Sequence, residues 1–206
     1  MKSAVMMIAL ALLLPAPAMA DGVLARQLHY VGTTSVNGRP EPMTLDLDIG
    51  AATRYGTTRI FIDEHVRDQD VGGSTLFLDR TGIVPGYHAP LTFEEETVLD
   101  MLALQFENMT GLGAGDSWDR AGELQAGTHE THYTVRGCSG SVVDIEVART
   151  IEFQDGTRGS WRGVMTYNSA TVVPTALAFN GIVVDGANAR RPFQLSARLE
   201  GDSFQP

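Results

Sequence analysis

Apolar residues recur at every second position through most of this chain, and at helical spacing in one stretch only, FEEETVLDMLALQFENM, Phe93 to Met109. Alternation puts successive side chains on opposite faces of a strand, whereas three- and four-residue spacing lines one side of a helix. A chain of many one-faced strands and a single helix has few ways to hide its apolar surface. A wide antiparallel sheet must curl, and its concave apolar face needs a cover. The helix is the one element left to supply it.

The strand signals are spread along the whole chain. MTLDLDI sets Met43, Leu45, Leu47 and Ile49 against Thr44, Asp46 and Asp48. VLARQLHYVGTTSV precedes it, and Asn37-Gly38 supplies a hairpin turn between the two. TTRIFIDEHV and STLFLDRTGIV predict two more strands, with RDQDVGG as the loop between them. After the helix, strands resume beyond GLGAGDSWDRAGELQAG. They are THETHYTV, VVDIEVARTIEF, RGSWRGVMTY, VPTALAFNGIVV and RPFQLSARLE. The expected fold is therefore mainly β: a single curved antiparallel sheet, a half-barrel or open barrel of about nine strands, wrapped around one helix near 92–109.

The helix carries its own punctuation. Thr92 and Glu95 match a capping box, and Glu94, Glu95 and Glu96 sit where the helix dipole favours negative charge. Val98, Met101, Leu102, Gln105, Phe106 and Met109 form one stripe, which Leu99, Ala103 and Leu104 widen. Gly111 can close the helix in a left-handed cap. At 1.5 Å per residue the predicted helix is about 25 Å long.

The first twenty residues read as a signal peptide. Lys2 gives a positive start, AVMMIALALLL an apolar core, and Ala18-Met19-Ala20 a small-x-small cleavage pattern. The remainder, 21–206, reads as one domain of periplasmic or secreted location. Losing Lys2 moves the net charge from −10 to −11. So acidic a domain repels nucleic acid and anionic headgroups, which argues against both as partners. No later stretch is long and apolar enough to be a spanning helix. With one cysteine, Cys138, no internal disulfide forms, and packing must supply the stability.

The GDSW turn at Gly115 to Trp118, the Tyr133 strand and GVMTYNSATVVPTALAF at Gly163 to Phe179 accompany the leader and the mid-chain helix. Together they resemble the half-barrel of periplasmic lipoprotein carriers. The resemblance implies an antiparallel sheet around a helical plug, with an apolar concavity. It carries over no functional residue.

Candidate chemistry is sparse. In HETH, His129 and His132 lie on opposite faces if the segment is a strand, so they do not share a metal. Asp68, Asp70 and Asp79 fall at calcium-loop positions, but Gly72 takes a ligand position and no helices flank the segment. They remain weak metal candidates beside a solvated hairpin loop. GCSG around Cys138 joins two strands and lacks the helix that a nucleophile elbow needs. Three glutamates at a helix start are explained by the dipole. Arg26 and Arg149 interrupt apolar strand faces; the plainer account puts them at a bulge or rim, and the functional account makes them anion-recognising residues.

The sequence thus predicts a non-enzymatic protein without cofactor or catalytic residues. It binds an apolar small molecule or lipid, or an envelope protein, through the curved sheet. Met101, Leu102, Gln105, Phe106, Trp161, Met165 and Tyr167 are the expected apolar ligand contacts. The alternatives are a structural or protein-interaction module with a filled core and a hydrolase-type enzyme, the latter weakened by the lack of a nucleophile–base–orienter set. Because neither the histidine pair nor the aspartate segment makes a complete site, EDTA is expected to leave the melting temperature unchanged. Differential scanning calorimetry with and without chelator checks this.

Overall fold

The computed structural model describes residues 25–36, 38–53, 56–67, 69–79, 82–84, 91–106, 111–124 and 127–203. The predicted leader, Asp68 and Met109 lie outside the described residues, as do the side chains of Gln105 and Phe106.

Among the described residues the strands form one open antiparallel sheet around a single α-helix, as the alternation predicts. In chain order they are β1 (Arg26–Val36), β2 (Arg39–Ala52), β3 (Thr58–Val66), β4 (Gln69–Asp79) and β5 (Gly82–Ile83). Helix α1 (Phe93–Leu102) follows and runs into a 3-10 turn at Ala103–Phe106. The rest are β6 (Ser117–Leu124), β7 (Gly127–Ser139), β8 (Val142–Phe153), β9 (Arg158–Asn168), β10 (Val173–Val184) and β11 (Arg190–Asp202). The order across the sheet is β5-β4-β3-β2-β1-β11-β10-β9-β8-β7-β6. The first and last strands pair at its centre, and the helix carries the chain from one edge to the other. Those edges, β5 and β6, come within 8 Å of each other, Cα to Cα, without pairing.

Among the described residues eleven strands replace the expected nine, for identifiable reasons. RDQDVGG is not a loop: β3 and β4 form a tight hairpin in which Val66 pairs with Gln69, and DVGG belongs to β4. Its alternation is hidden because Asp70, Val71, Gly72 and Gly73 are all exposed. β6 was hidden differently. Its inward positions hold Trp118, Arg120, Gly122 and Leu124, so a charge and a glycine mask the apolar half of the pattern. β5 is only two residues long.

The helix is shorter than predicted. Ten α-helical residues span about 15 Å. The capping box forms as predicted, with the Thr92 side chain accepting from the Glu95 amide and Glu95 accepting from the Thr92 amide. Gly111 is left-handed, at φ 78°, but the α-helix has ended at Leu102. The larger surprise is burial. Every residue from Glu95 to Leu102 is buried, so α1 has no wet face along those residues.

The core therefore has two walls and a filling. Leu28, Tyr30, Leu45, Leu47, Ile60, Ile62, Ile145, Met165, Phe179 and Leu195 come from the concave sheet; Val98, Leu99, Met101 and Leu102 come from α1. At the helix start, the Phe93 ring packs edge-on against Phe153 and Trp161, with centroids at 5.8 and 5.7 Å. Trp161 fits because Gly159 and Gly181 flank it: a Cβ on either would stand 2.4 Å from a Trp161 side-chain atom. α1 lies within 8 Å, Cα to Cα, of β10 and β5. Leu102 is 1 % exposed. Leu102→Ala is expected to destabilise by about 2–5 kcal/mol, read from urea unfolding midpoints at unchanged slope.

Candidate functional site

One corner of the concave face is polar. Strand pairing lines up Arg120, Thr131, Arg149 and Trp161 as neighbours across β6, β7, β8 and β9. His129 and Tyr133 flank Thr131 at the next inward positions of β7. Side chains two apart share a face, so all six point into the barrel. His129 has room because Gly122 opposes it; a Cβ there would sit 2.6 Å from His129 Nε2.

These side chains converge on one group of the helix, the carboxylate of Asp100. Arg149 Nη1 ion-pairs with Asp100 Oδ2 at 2.6 Å. The Tyr133 hydroxyl donates to the same oxygen at 2.9 Å, and Thr131 Oγ1 at 3.2 Å. Arg120 Nη1 donates to the Asp100 backbone carbonyl at 3.5 Å. Arg149 Nη1 also donates to Thr131 Oγ1 at 2.8 Å and faces His129 Nδ1 at 3.1 Å. A guanidinium cannot accept, so Nδ1 is the acceptor and the imidazole proton sits on Nε2, 3.9 Å from Asp100 Oδ1.

The electrostatics agree with that assignment. Burial pushes the Asp100 carboxyl up, but the Arg149 guanidinium, with Arg120 and the Tyr133 hydrogen bond, holds it below the usual range. Burial, with Arg149 beside it, depresses His129 to about 4. Asp100 is therefore a charged acceptor, and His129 is neutral and accepts from Arg149. Arg149, 1 % exposed, keeps its Nε and Nη2 without a hydrogen-bond partner among the described residues.

The helix start carries a second buried polar group. Thr92 Oγ1 donates to Glu64 Oε2 at 2.6 Å, and Thr34 Oγ1 donates to Glu94. Glu64, Glu95 and Glu96 are 1 %, 2 % and 6 % exposed. Burial pushes each of the three up to about 7. The dipole explains why glutamates occur here, but not why they are enclosed. Glu96 lies one turn before Asp100, so the two occupy one helix face.

The residues singled out from sequence fall into three groups. Met101, Leu102, Trp161, Met165 and Tyr167 are all at most 2 % exposed, packed as core; the Gln105 and Phe106 side chains lie outside the described residues. Asp70 and Asp79 stand at opposite ends of the extended strand β4, about 30 Å apart at 3.3 Å per residue, so they do not form one calcium loop. Among the described residues no group of three His, Cys, Asp or Glu is placed to hold a metal ion. His129 points inward and His132 outward, as their spacing predicts. Cys138 is exposed in the β7–β8 hairpin, with Sγ donating to the Leu112 carbonyl at 3.3 Å. Arg149 and Arg26 are not rim residues: both are buried, and Arg26 donates to the Thr171 carbonyl at 2.8 Å. Asp100 and Arg120 were not singled out at all.

Two open grooves, of roughly 530 and 1380 Å³, lie along the sheet; the larger is lined by outward residues such as Glu130, His132 and Arg162 and also by Arg120, His129, Thr131, Arg149 and Trp161 of the polar corner. No helix among the described residues is long and apolar enough to cross a membrane. Comparison with known protein families, curated proteins and solved structures finds no match to this chain.

The raised carboxyls fix the direction of the pH response. Between their ordinary value of 4.5 and about 7, Glu64, Glu95 and Glu96 keep protons in the folded chain that the unfolded chain has released. Their contribution is complete below 4.5 and is lost as pH rises through 7. His129 acts oppositely, removing stability as pH falls from 6.5 towards 4. Three groups outweigh one, so the melting temperature is expected to fall from about pH 5 to about pH 8, and Glu64→Gln to flatten that slope in a thermal scan series.

Proposed function

We propose that this is a non-enzymatic secreted or periplasmic protein whose curved sheet binds an apolar ligand or lipid, with helix α1 holding the ligand's place until one arrives. The observation that carries this reading is the mixed character of the helix seat. Val98, Leu99, Met101 and Leu102 lie against the concave face, yet the same helix buries Glu95, Glu96 and Asp100. A helix that served only as filling is held more strongly by apolar groups, because burying charges costs desolvation that pairing often fails to recover. A seat built on ionisable contacts is one whose strength responds to protonation and to competing groups. The enzymatic alternative is weaker. Asp100, His129, Thr131 and Tyr133 bond with one another or with Arg149, and His129 is neutral, accepts from Arg149 and has no nucleophile to activate.

A tether tests it. Cysteine pairs are introduced between α1 and β10, with Cys138→Ser removing the native thiol. The untethered protein should take up a neutral naphthylamine fluorophore, the locked protein should not, and reduction should restore uptake. If no form takes up the probe, the interaction-module reading, with the sheet exterior as the working surface, replaces this one.

A further inference from the structure

The polar corner has the makings of a ligand site already filled by the chain itself. Its donors are set by the sheet, not by the helix: Arg149 on β8 is hydrogen-bonded to Thr131 and faces His129, both on β7, and Tyr133 stacks on Trp118 of β6 with ring centroids at 5.1 Å. Removing α1 from consideration leaves these contacts in place. α1 brings two acidic groups towards the corner: Glu96, which feels the charge of Arg149, and Asp100, which takes the guanidinium, the phenol and the threonine hydroxyl on a single oxygen.

Arg149 has capacity beyond that oxygen. Its Nη1 serves Asp100, Thr131 and His129, while Nε and Nη2, whose N–H groups lie parallel and bind a carboxylate side-on, have no partner among the described residues. An unpaired buried donor pair costs free energy unless some state of the protein uses it. The face beside this corner changes character within one strand. Arg149 pairs with Trp161, and the next inward row runs through Val147, Gly163, Phe179 and Leu195. A charged corner opening onto an apolar floor is the complement of an amphiphile with a carboxylate head and a hydrocarbon tail. Helix α1 reproduces that pattern, with Asp100 at the corner and Val98, Met101 and Leu102 buried in the same core.

We infer that Arg149, Tyr133, Thr131 and His129 form a carboxylate-binding site for a long-chain fatty acid, and that Asp100 of α1 is its built-in competitor. The inference rests on the reading that the concave face accepts an apolar ligand. The acid's carboxylate takes the oxygen position of Asp100 and the side-on edge of Arg149, and its tail takes the space of the displaced helix. No bond is made or broken; a charged group replaces a charged group, so Arg149 stays neutralised in both states.

The test compares a fluorescent polyene fatty acid with its methyl ester on the intact protein, on Asp100→Asn and on Tyr133→Phe. Asp100→Asn removes the competing charge while keeping the helix's shape, so it should bind the acid roughly ten-fold or more tightly than the wild type, because a larger fraction of molecules is binding-competent. The ester should gain by the same factor and remain the weaker ligand, because the acid alone uses the Arg149 and Tyr133 donors. Tyr133→Phe removes one donor and should lower the preference for acid over ester several-fold. Equal binding of acid and ester by Asp100→Asn overturns the carboxylate site while leaving the apolar-ligand reading intact. So does uptake of the neutral naphthylamine by a protein that binds neither polyene. Failure of all three probes removes the broader reading as well. Should Asp100→Asn fail to fold, the acid-over-ester preference of the wild type against Tyr133→Phe decides the matter alone, and no difference between them overturns the proposal.

Discussion

The contact between Asp100 and Arg149 ties the helix to the sheet, and the rest of the interior is arranged around it. A short helix with no exposed side along Glu95 to Leu102 must bury whatever polar residues it carries. Burying a carboxylate alone is prohibitive, and burying it against a guanidinium is tolerable only if the remaining lone pairs and protons find partners. Tyr133 and Thr131 are those partners for the carboxylate, Thr131 and His129 accept from Arg149 Nη1, and the Nε and Nη2 of Arg149 stay unmatched among the described residues. Breaking such a pair costs more than it contributed, because it leaves a stranded charge. The pair therefore fixes where the helix sits and how it is rotated more than it adds net stability. Asp100 can face only the corner of β6, β7 and β8, and that choice directs Val98, Leu99, Met101 and Leu102 into the apolar remainder.

The glutamates at the helix start work differently. Glu64 reaches Thr92 from β3, on the far side of the sheet order from β6 to β8. The helix is thus gripped from both arms of the curled sheet, by an ion pair at one end and by protonatable carboxyls at the other. The two grips respond oppositely to acid, since Asp100 must stay charged and the glutamates are favoured neutral.

Much of this architecture was legible in the residues. Alternation in β2, β8 and β11 located strands because their inward positions are almost all apolar, and the capping box located the helix start. The predictions broke down where polar residues occupy inward positions. β6 escaped because Arg120 and Gly122 face the interior, yet Arg120 reaches the Asp100 carbonyl and Gly122 makes room for His129. Arg149 was visible as an interruption, but alternation cannot say whether an interrupting arginine bends out to water or finds a carboxylate. That depends on Asp100, 49 positions earlier by sequence number, brought opposite by the fold. On the helix, the glutamate run was put down to the dipole and Asp100 passed without notice, because charge on a helix usually marks the wet face. The same local signal that gave away the strands concealed the site.

The seam between β1 and β11 bears on how the molecule comes into being. Tyr30 pairs with Leu199 and Thr34 with Leu195, so the two strands at the middle of the sheet come from opposite ends of the folded chain. Each arm can zip by successive hairpins, but the arms join only when the last strand exists. Until then β1 presents an unpaired edge, of the kind that recruits foreign strands. Such long-range closure is slow compared with local pairing. Synthesis that proceeds from β1 must therefore deliver β11 before the two arms of the sheet can join around the helix. A truncation of β11 would leave two half-sheets and a helix with half a seat, not a slightly smaller version of the same protein.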